Sequence, residues 1–334
     1  MAHYATNRFT YWGQLGILIA FIGAGIIVGG IGSMIPLLGT IELFKSGTSF
    51  DKQLENLLKP ENASILRWSQ TIGTVFIFLI PTFLYARICH VKAGLHLGFK
   101  KTINWKQAIL AILIMLACLP AVDALQQFTE MLPWSKATLA KFDKAEADYF
   151  KQVAVIARMN DFWDYLISVA VIALLPAMVE EMFFRGGMQN LFSRWFKKPV
   201  LAIIITSIIF SAIHGSYLGF LSRFALGFVL GWMYYRTGNI WLNIIAHFFN
   251  NAVAISLLYF TTKPGEKLDP SKMDSHSPLW LGALSIAALI GLLIAFDKAG
   301  KKDIDRPGEE VLIPGYSNNP FTNDIAFQQS SNQQ

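Results

Sequence analysis

Apolar segments long enough to cross a lipid bilayer follow one another through most of this 334-residue chain. A membrane-spanning helix needs about 20 predominantly apolar residues. The stretch from Phe9 to Ile41 contains no charged residue at all. Only 15% of the residues are charged and 54% are hydrophobic, whereas a soluble domain carries about 25% charged residues. This pattern excludes both an ordinary soluble fold and a disordered chain.

The positions of the charged residues predict an all-α, polytopic bundle of about eight transmembrane helices around a buried polar cavity. A proline, Pro81, interrupts the second of these spans. The predicted spans cover about 12–36, 67–87, 106–123, a fourth that begins near 162, then 199–214, 219–235, 240–260 and 278–296.

We expect two parts in the chain. Residues 1–296 form the predicted membrane-embedded domain, and a motif core lies at about 162–260. Residues 297–334 are polar and rich in Asn, Gln, Pro and Gly. Such a segment buries too little apolar surface to order itself, which predicts a disordered tail.

Short basic loops predict the orientation in the bilayer, because cytoplasmic loops carry an excess of Lys and Arg. With an even number of spans, both termini are then cytoplasmic, as expected for a multi-pass protein of the cell inner membrane. The net charge of +6 is scattered between apolar runs, so nucleic-acid binding is not predicted and the lipid bilayer is the expected environment. Two loops contain basic residues and no acid: Lys92, Lys100 and Lys101 in one, Arg194, Lys197 and Lys198 in the other.

The segment 134–160 differs from the spans because it mixes charged residues with apolar ones. Leu139, Phe142, Tyr149 and Val153 fall on one helical face. This spacing predicts a helix that lies on the membrane surface or over the bundle. A substrate-gating lid is the alternative.

Ionisable and amide side chains inside the predicted spans converge on three helices. Burying such groups in a bilayer is costly, so they mark functional-site candidates. They are Glu180, Glu181 and Arg185 in the fourth span, His214 at the end of the fifth, and His247, Asn250 and Asn251 in the seventh.

Helical geometry separates the two adjacent acids, because residues four apart share a face and adjacent residues do not. Glu181 and Arg185 can pair within the helix. Glu180 has Phe184 rather than a cation four residues later. This arrangement leaves Glu180 able to hold a water molecule and to accept its proton.

The same spacing relates the histidines to their neighbours. His247 and Asn251 can present an imidazole and a carboxamide to one point, and Phe210 can pack beside His214. His214 falls near the outer end of its span, whereas His247 lies nearer the inner half. We therefore expect the fifth helix to begin deeper in the membrane or to be tilted.

Two chemistries remain open for these residues. A carboxylate with a histidine can activate water as a general base, while a second histidine with an amide can stabilise an oxyanion. Alternatively, Glu180, His214 and His247 could ligate Zn2+ with one position open for water. No His-Glu-x-x-His pair and no Gly-x-Ser-x-Gly sequence occurs, and two cysteines cannot form a four-thiolate zinc site.

Three motifs, in this order and spacing, resemble those of the CPBP intramembrane protease family, also called the Abi family. This family contains the type II CAAX prenyl endopeptidases and bacteriocin-processing or self-immunity proteins. The resemblance covers about 175–255. The motifs are Glu180-Glu181-x-x-x-Arg185, Phe210-x-x-x-His214 and His247-x-x-x-Asn251.

The resemblance implies a role for each motif residue. Glu180 and His214 are implied to activate water, and His247 and Asn251 to form the oxyanion site. The family is usually labelled metallopeptidase, so a zinc-assisted reaction stays open.

The residues and the resemblance together predict an intramembrane endopeptidase acting on a membrane-associated protein or peptide. The processing would be of the CAAX type or of a peptide or bacteriocin. The alternatives are a non-catalytic immunity or scaffold protein and a small-solute transporter. Transporters often contain repeated halves, which this sequence does not show, and a non-catalytic relative would be expected to lack a motif residue.

Overall fold

A computed structural model describes residues 9–39, 56–90, 92–261 and 276–300 of the chain. These residues are helical, and no strand occurs among them. Their long helices are α1 Tyr11–Leu38, α2 Ala63–Cys89, α3 Trp105–Glu130, α4 Lys136–Ile156, α5 Phe162–Phe196, α6 Pro199–Ala212, α7 Phe220–Thr237, α8 Ile240–Thr261 and α9 Leu279–Ala299.

Six of these helices are long and apolar enough to cross a membrane: α1, α2, α3, α5, α8 and α9. The described part of the chain is therefore all-helical, and its six candidate spans indicate a multi-pass membrane protein. The remaining two predicted spans are less clear-cut. Helix α6 is apolar but has only 14 residues, and α7 has 18 residues that include Arg223 and Arg236. The number of eight transmembrane helices therefore stays a prediction.

Side-chain caps begin several helices where the sequence offers a short polar residue. Ser135 accepts a hydrogen bond from the backbone N–H of Thr138 at the start of α4. Asp161 does the same for Asp164 at the start of α5. Each cap satisfies one of the N–H groups that a first helical turn leaves without a partner.

Helices α2 and α5 contain π-helical turns. Two of them, Val75–Leu79 and Val169–Leu174, come just before Pro81 and Pro176. A proline ring clashes with the carbonyl four residues earlier, and widening the turn relieves that clash. The third, Met182–Gln189, has no proline and follows Glu181 directly, so the helix is locally widened at the predicted site.

Gly25 and Gly227 are two of the glycines that allow close contact between helices. A side chain on Gly25 of α1 would collide with the Phe76 carbonyl of α2. A side chain on Gly227 of α7 would lie 3.2 Å from the Phe210 ring and 3.3 Å from Ser207, both on α6. The second contact brings α6 and α7 together at the level of the candidate site.

Helix α4 lies over the loop 213–219, which joins α6 to α7. The Phe142 and Tyr217 rings stack with centroids 4.7 Å apart. The Arg223 guanidinium lies 5.4 Å from the centre of the Tyr149 ring. The segment is thus a helix packed over the bundle, which agrees with the first interpretation of its sequence.

Candidate active site

The centre of the site is Glu181 on α5, whose side chain is 0% exposed. Its carboxylate lies 3.2 Å from the Nε of Arg185, which is the pair predicted from their spacing. His247 and Asn243 of α8 contact the same carboxylate. His247 Nδ1 is 2.9 Å from Oε1, and Asn243 Nδ2 donates to Oε2 at 3.1 Å. Glu181 therefore joins α5 to α8.

Arg185 is also buried, with 1% of its surface exposed. Its Nη2 donates to the Gly227 carbonyl of α7 at 3.1 Å, and its Cζ lies 5.0 Å from the centre of the Phe210 ring. The close approach at Gly227 therefore also supplies a partner for the arginine. One charge pair thus links α5 to α7 and to α6.

Glu180 lies beside this pair but is not part of it. Its Oε2 atom is 3.9 Å from His247 Nε2. That oxygen is buried, and no hydrogen-bond partner for it occurs among the described residues. His247 therefore stands between two carboxylates, with one ring nitrogen near each.

His214 belongs to the same neighbourhood through an aromatic ring. Its Nδ1 lies 2.6 Å from the Phe210 carbonyl oxygen. The Phe210 ring is 4.7 Å from the His214 ring and 6.1 Å from the His247 ring, measured between centroids. Within the described part of the chain, no hydrogen bond or ion pair links His214 to Glu180.

His214 follows a short helix. Helix α6 has 14 residues and is about 21 Å long, whereas the hydrocarbon core is about 30 Å thick. A helix of this length does not by itself span the core, and the deeper start or tilt expected from the sequence stays a prediction.

The two asparagines after His247 contact each other. Asn250 Nδ2 donates to Asn251 Oδ1 at 3.3 Å. Asn251 stands one helical turn beyond His247, as its spacing predicted. Because Asn251 Oδ1 accepts this hydrogen bond, the Nδ2 group of Asn251 is the part of the side chain that can donate to another partner.

Asn243 is a site residue that the sequence analysis missed. It is 0% exposed, and its Nδ2 donates to the Leu230 carbonyl at 2.7 Å as well as to Glu181. The sequence did contain a signal for this residue. A spacing of four places it on the same face of α8 as His247 and Asn251.

The zinc hypothesis required three ligands, from Glu180, His214 and His247. Among the described residues, no group of three His, Cys, Asp or Glu side chains is placed to hold a metal ion. The donor set as arranged does not fit a three-ligand site.

A second polar region lies where α2, the end of α4 and the start of α5 meet. Its cavity has a volume of about 460 Å³. It contains none of the predicted catalytic residues. Its polar lining consists of Glu61, Ser64, Arg67, Arg158, Asn160 and Asp164.

Comparison with known proteins places the site within a recognised sequence family. Residues 162–253 match the family model described as type II CAAX prenyl endopeptidase Rce1-like. The match begins with α5, ends within α8 and includes all six residues predicted to be catalytic.

One curated relative is the uncharacterized protein YpbD of Bacillus subtilis (strain 168). It is 34% identical over 112 residues, which are 32% of this chain and 52% of YpbD. The chain thus spans about half the length of this relative. No solved structure matches the chain.

Proposed function

Residues 162–253 belong to the type II CAAX prenyl endopeptidase Rce1-like family, and on this premise we propose that the protein is an intramembrane endopeptidase. It hydrolyses a peptide bond of a membrane-associated protein or peptide. The observation that carries the proposal is the buried Glu180 oxygen, which faces His247 and lacks a hydrogen-bond partner among the described residues.

Glu180 is the general base in this proposal. Its neighbour Glu181 is occupied by Arg185, His247 and Asn243. Glu180 is the carboxylate able to take a proton from the attacking water and to pass it to the leaving amine. An acid or base positioned in this way typically contributes about 10²–10⁴-fold to a rate.

His214 orients the water. Donation from its Nδ1–H to the Phe210 carbonyl would fix the tautomer and leave a lone pair on Nε2. That lone pair can accept a hydrogen bond from the water that Glu180 deprotonates. This role agrees with the one implied by the family resemblance.

His247 and Asn251 stabilise the oxyanion. Two carboxylates flank the His247 ring, with Nδ1 2.9 Å from Glu181 and Nε2 3.9 Å from Glu180. In this proposal Glu181 holds the ring at Nδ1, and an N–H at Nε2 is the donor to the oxyanion. Asn251 supplies a second donor one turn away.

The substrate class stays broad. The family name suggests CAAX-type processing, and cleavage of another peptide or of a bacteriocin fits the same chemistry. The common requirement is a peptide bond that can enter a site within the bilayer.

Proteome-wide peptide termini provide the test. We expect new termini in cells that produce the wild-type protein and none of these in cells that produce Glu180→Ala at equal level. Asp143→Asn is the matched control, because Asp143 is an exposed acid on α4. Identical termini in wild-type and Glu180→Ala cells would favour the non-catalytic alternative, an immunity or scaffold protein.

A further inference from the structure

Helix α4 is fixed at both ends. Before its start, Trp134 Nε1 donates to the Thr129 carbonyl of α3 at 2.8 Å. At its end, Arg67 Nε of α2 donates to the Ile156 carbonyl at 2.8 Å. Because α2 and α3 are predicted to cross the membrane, α4 is tied to the bundle and provides a fixed reference beside the loop 213–219.

Three side chains of α4 contact that loop or the first turn after it. Glu146 accepts a hydrogen bond from Ser216 Oγ at 2.6 Å, while Phe142 stacks on Tyr217 and Tyr149 packs against Arg223. The contacting residues of α4 lie three or four apart, so one face of the helix makes all three contacts. The loop carries His214 two residues before Ser216.

The loop itself depends on Ser216. Ser216 Oγ accepts from the backbone N–H of Gly219 at 3.0 Å while donating to Glu146. The hydroxyl proton of Ser216 is thus used in the hydrogen bond to Glu146 of α4. A lone pair of the same oxygen accepts the hydrogen bond from Gly219 within the loop. Between His214 and Ser216 stands Gly215, with a φ of +67° and open space around it. A glycine here leaves the loop free to rotate unless an outside contact holds it.

We propose that Glu146 is a positioning residue for His214. Its carboxylate holds Ser216, and through Ser216 it fixes the loop that places the His214 ring against Phe210. This inference rests on the proposed function, in which His214 orients the attacking water. Small displacements of such a group, of about 1 Å, can cost about 10²-fold in rate.

Turnover by the full-length protein in lipid nanodiscs tests the catalytic side of the proposal. The probe is a pool of fluorescent hydrophobic peptides with randomised cleavage sites. We expect Glu146→Ala to lower kcat by about 10- to 100-fold with little change in KM. Glu146→Gln should recover most of kcat, because the amide oxygen can still accept from Ser216. Asp143→Ala, an exposed acid on the same helix, should retain wild-type kcat.

A double-variant comparison asks whether the effect passes through His214. In a His214→Ala background, adding Glu146→Ala should cause little further loss, because groups that act through one another are not additive. A full additional 10-fold loss in that background would overturn the proposal. Failure of Glu146→Gln to recover kcat would overturn it as well.

Hydrogen exchange separates this inference from the proposed function, since it needs no substrate. The backbone amides of residues 213–219 should exchange faster in Glu146→Ala than in the wild type. Their exchange rates should be unchanged in Asp143→Ala. Unchanged exchange in Glu146→Ala would overturn the positioning role even in an active enzyme. Glu146→Ala could also show faster exchange while the wild-type protein cleaves no substrate. That result would support the positioning of the loop and contradict the endopeptidase function.

Discussion

Arg67 and Arg185 are both almost fully buried, at 5% and 1% exposure, yet the acids around them differ. Arg67 lies 3.4 Å from Asp164 and donates to two backbone carbonyls. Asp164 in turn accepts from the backbone and the side chain of Asn160, each at 3.0 Å. At Arg185, the paired acid Glu181 is equally well satisfied, but a second acid stands beside it.

The two regions differ in whether an acid is left over after the arginine has been paired. In the Arg67 region, Asp164 pairs with the guanidinium of Arg67, and the contacts of Arg67 join α2 to the end of α4 and the start of α5. The Arg185 region has Glu180 in addition, with a buried oxygen that has no hydrogen-bond partner in the described structure. A buried polar atom of this kind costs stability, and this one lies 3.9 Å from His247 Nε2. The Arg67 region contains a cavity of about 460 Å³, and both Arg67 and Asp164 have several hydrogen-bond partners there.

The largest expected effect is on turnover by Glu180→Gln. The amide keeps the shape of the side chain but cannot accept a proton, so activity should fall about 10²–10⁴-fold. Thermal stability should stay near that of wild type, because Glu180 is not paired with Arg185. Single-turnover cleavage and a melting curve on purified protein check both expectations. If Glu180→Gln turned over substrate at the wild-type rate, the Arg185 region would have no catalytic acid to distinguish it from the Arg67 region.

Glu181→Ala should affect stability instead. It leaves Arg185 buried without its ion-pair partner and also removes the carboxylate that His247 and Asn243 contact. Removing one partner of a buried ion pair costs about 3–5 kcal/mol. We expect a lower free energy of unfolding, or poor expression, together with lost activity. A variant as stable as wild type would contradict the view that this pair holds α5 to its neighbours.

Asn251→Ala tests the oxyanion role. Loss of one such donor typically lowers kcat about 10²–10³-fold, with little change expected in KM. The double variant with His247→Ala should be much less damaged than the product of the two single effects, because both act on one oxygen. Under the zinc hypothesis, His247→Ala would lower the metal content measured by mass spectrometry and Asn251→Ala would scarcely matter.

Arg67→Gln should have the smallest effect on chemistry. It removes the partner of Asp164, which is 25% exposed and keeps its contacts with Asn160. We expect a loss of about 1–3 kcal/mol in the free energy of unfolding. Turnover per folded molecule should fall far less than in Glu180→Gln, because Arg67 contacts Ile156, Arg158 and Asp164 rather than the residues of the candidate site. A loss of turnover as large as that of Glu180→Gln would show that a satisfied ion pair can be as functional as an unsatisfied acid.

The sequence by itself determined what depends on short range. Apolar run length predicted the long helices, with starts such as Phe162 of α5 and Ile240 of α8. The four-residue spacing predicted that Glu181 pairs with Arg185, because one helical turn brings such residues together whatever the rest of the chain does. The same rule predicted Phe210 beside His214 and separated Glu180 from the pair.

Only the tertiary structure decided which residues meet across helices. Asn243 contacts Glu181 although 62 positions separate them, and His247 stands between both acids rather than beside Asn251 alone. The Glu146 contact with Ser216 spans 70 positions. Periodicity fixes which face of a helix a residue occupies, but not the neighbour that this face meets. That neighbour depends on how α5, α7 and α8 pack, on the close approach at Gly227, and on where the short α6 ends.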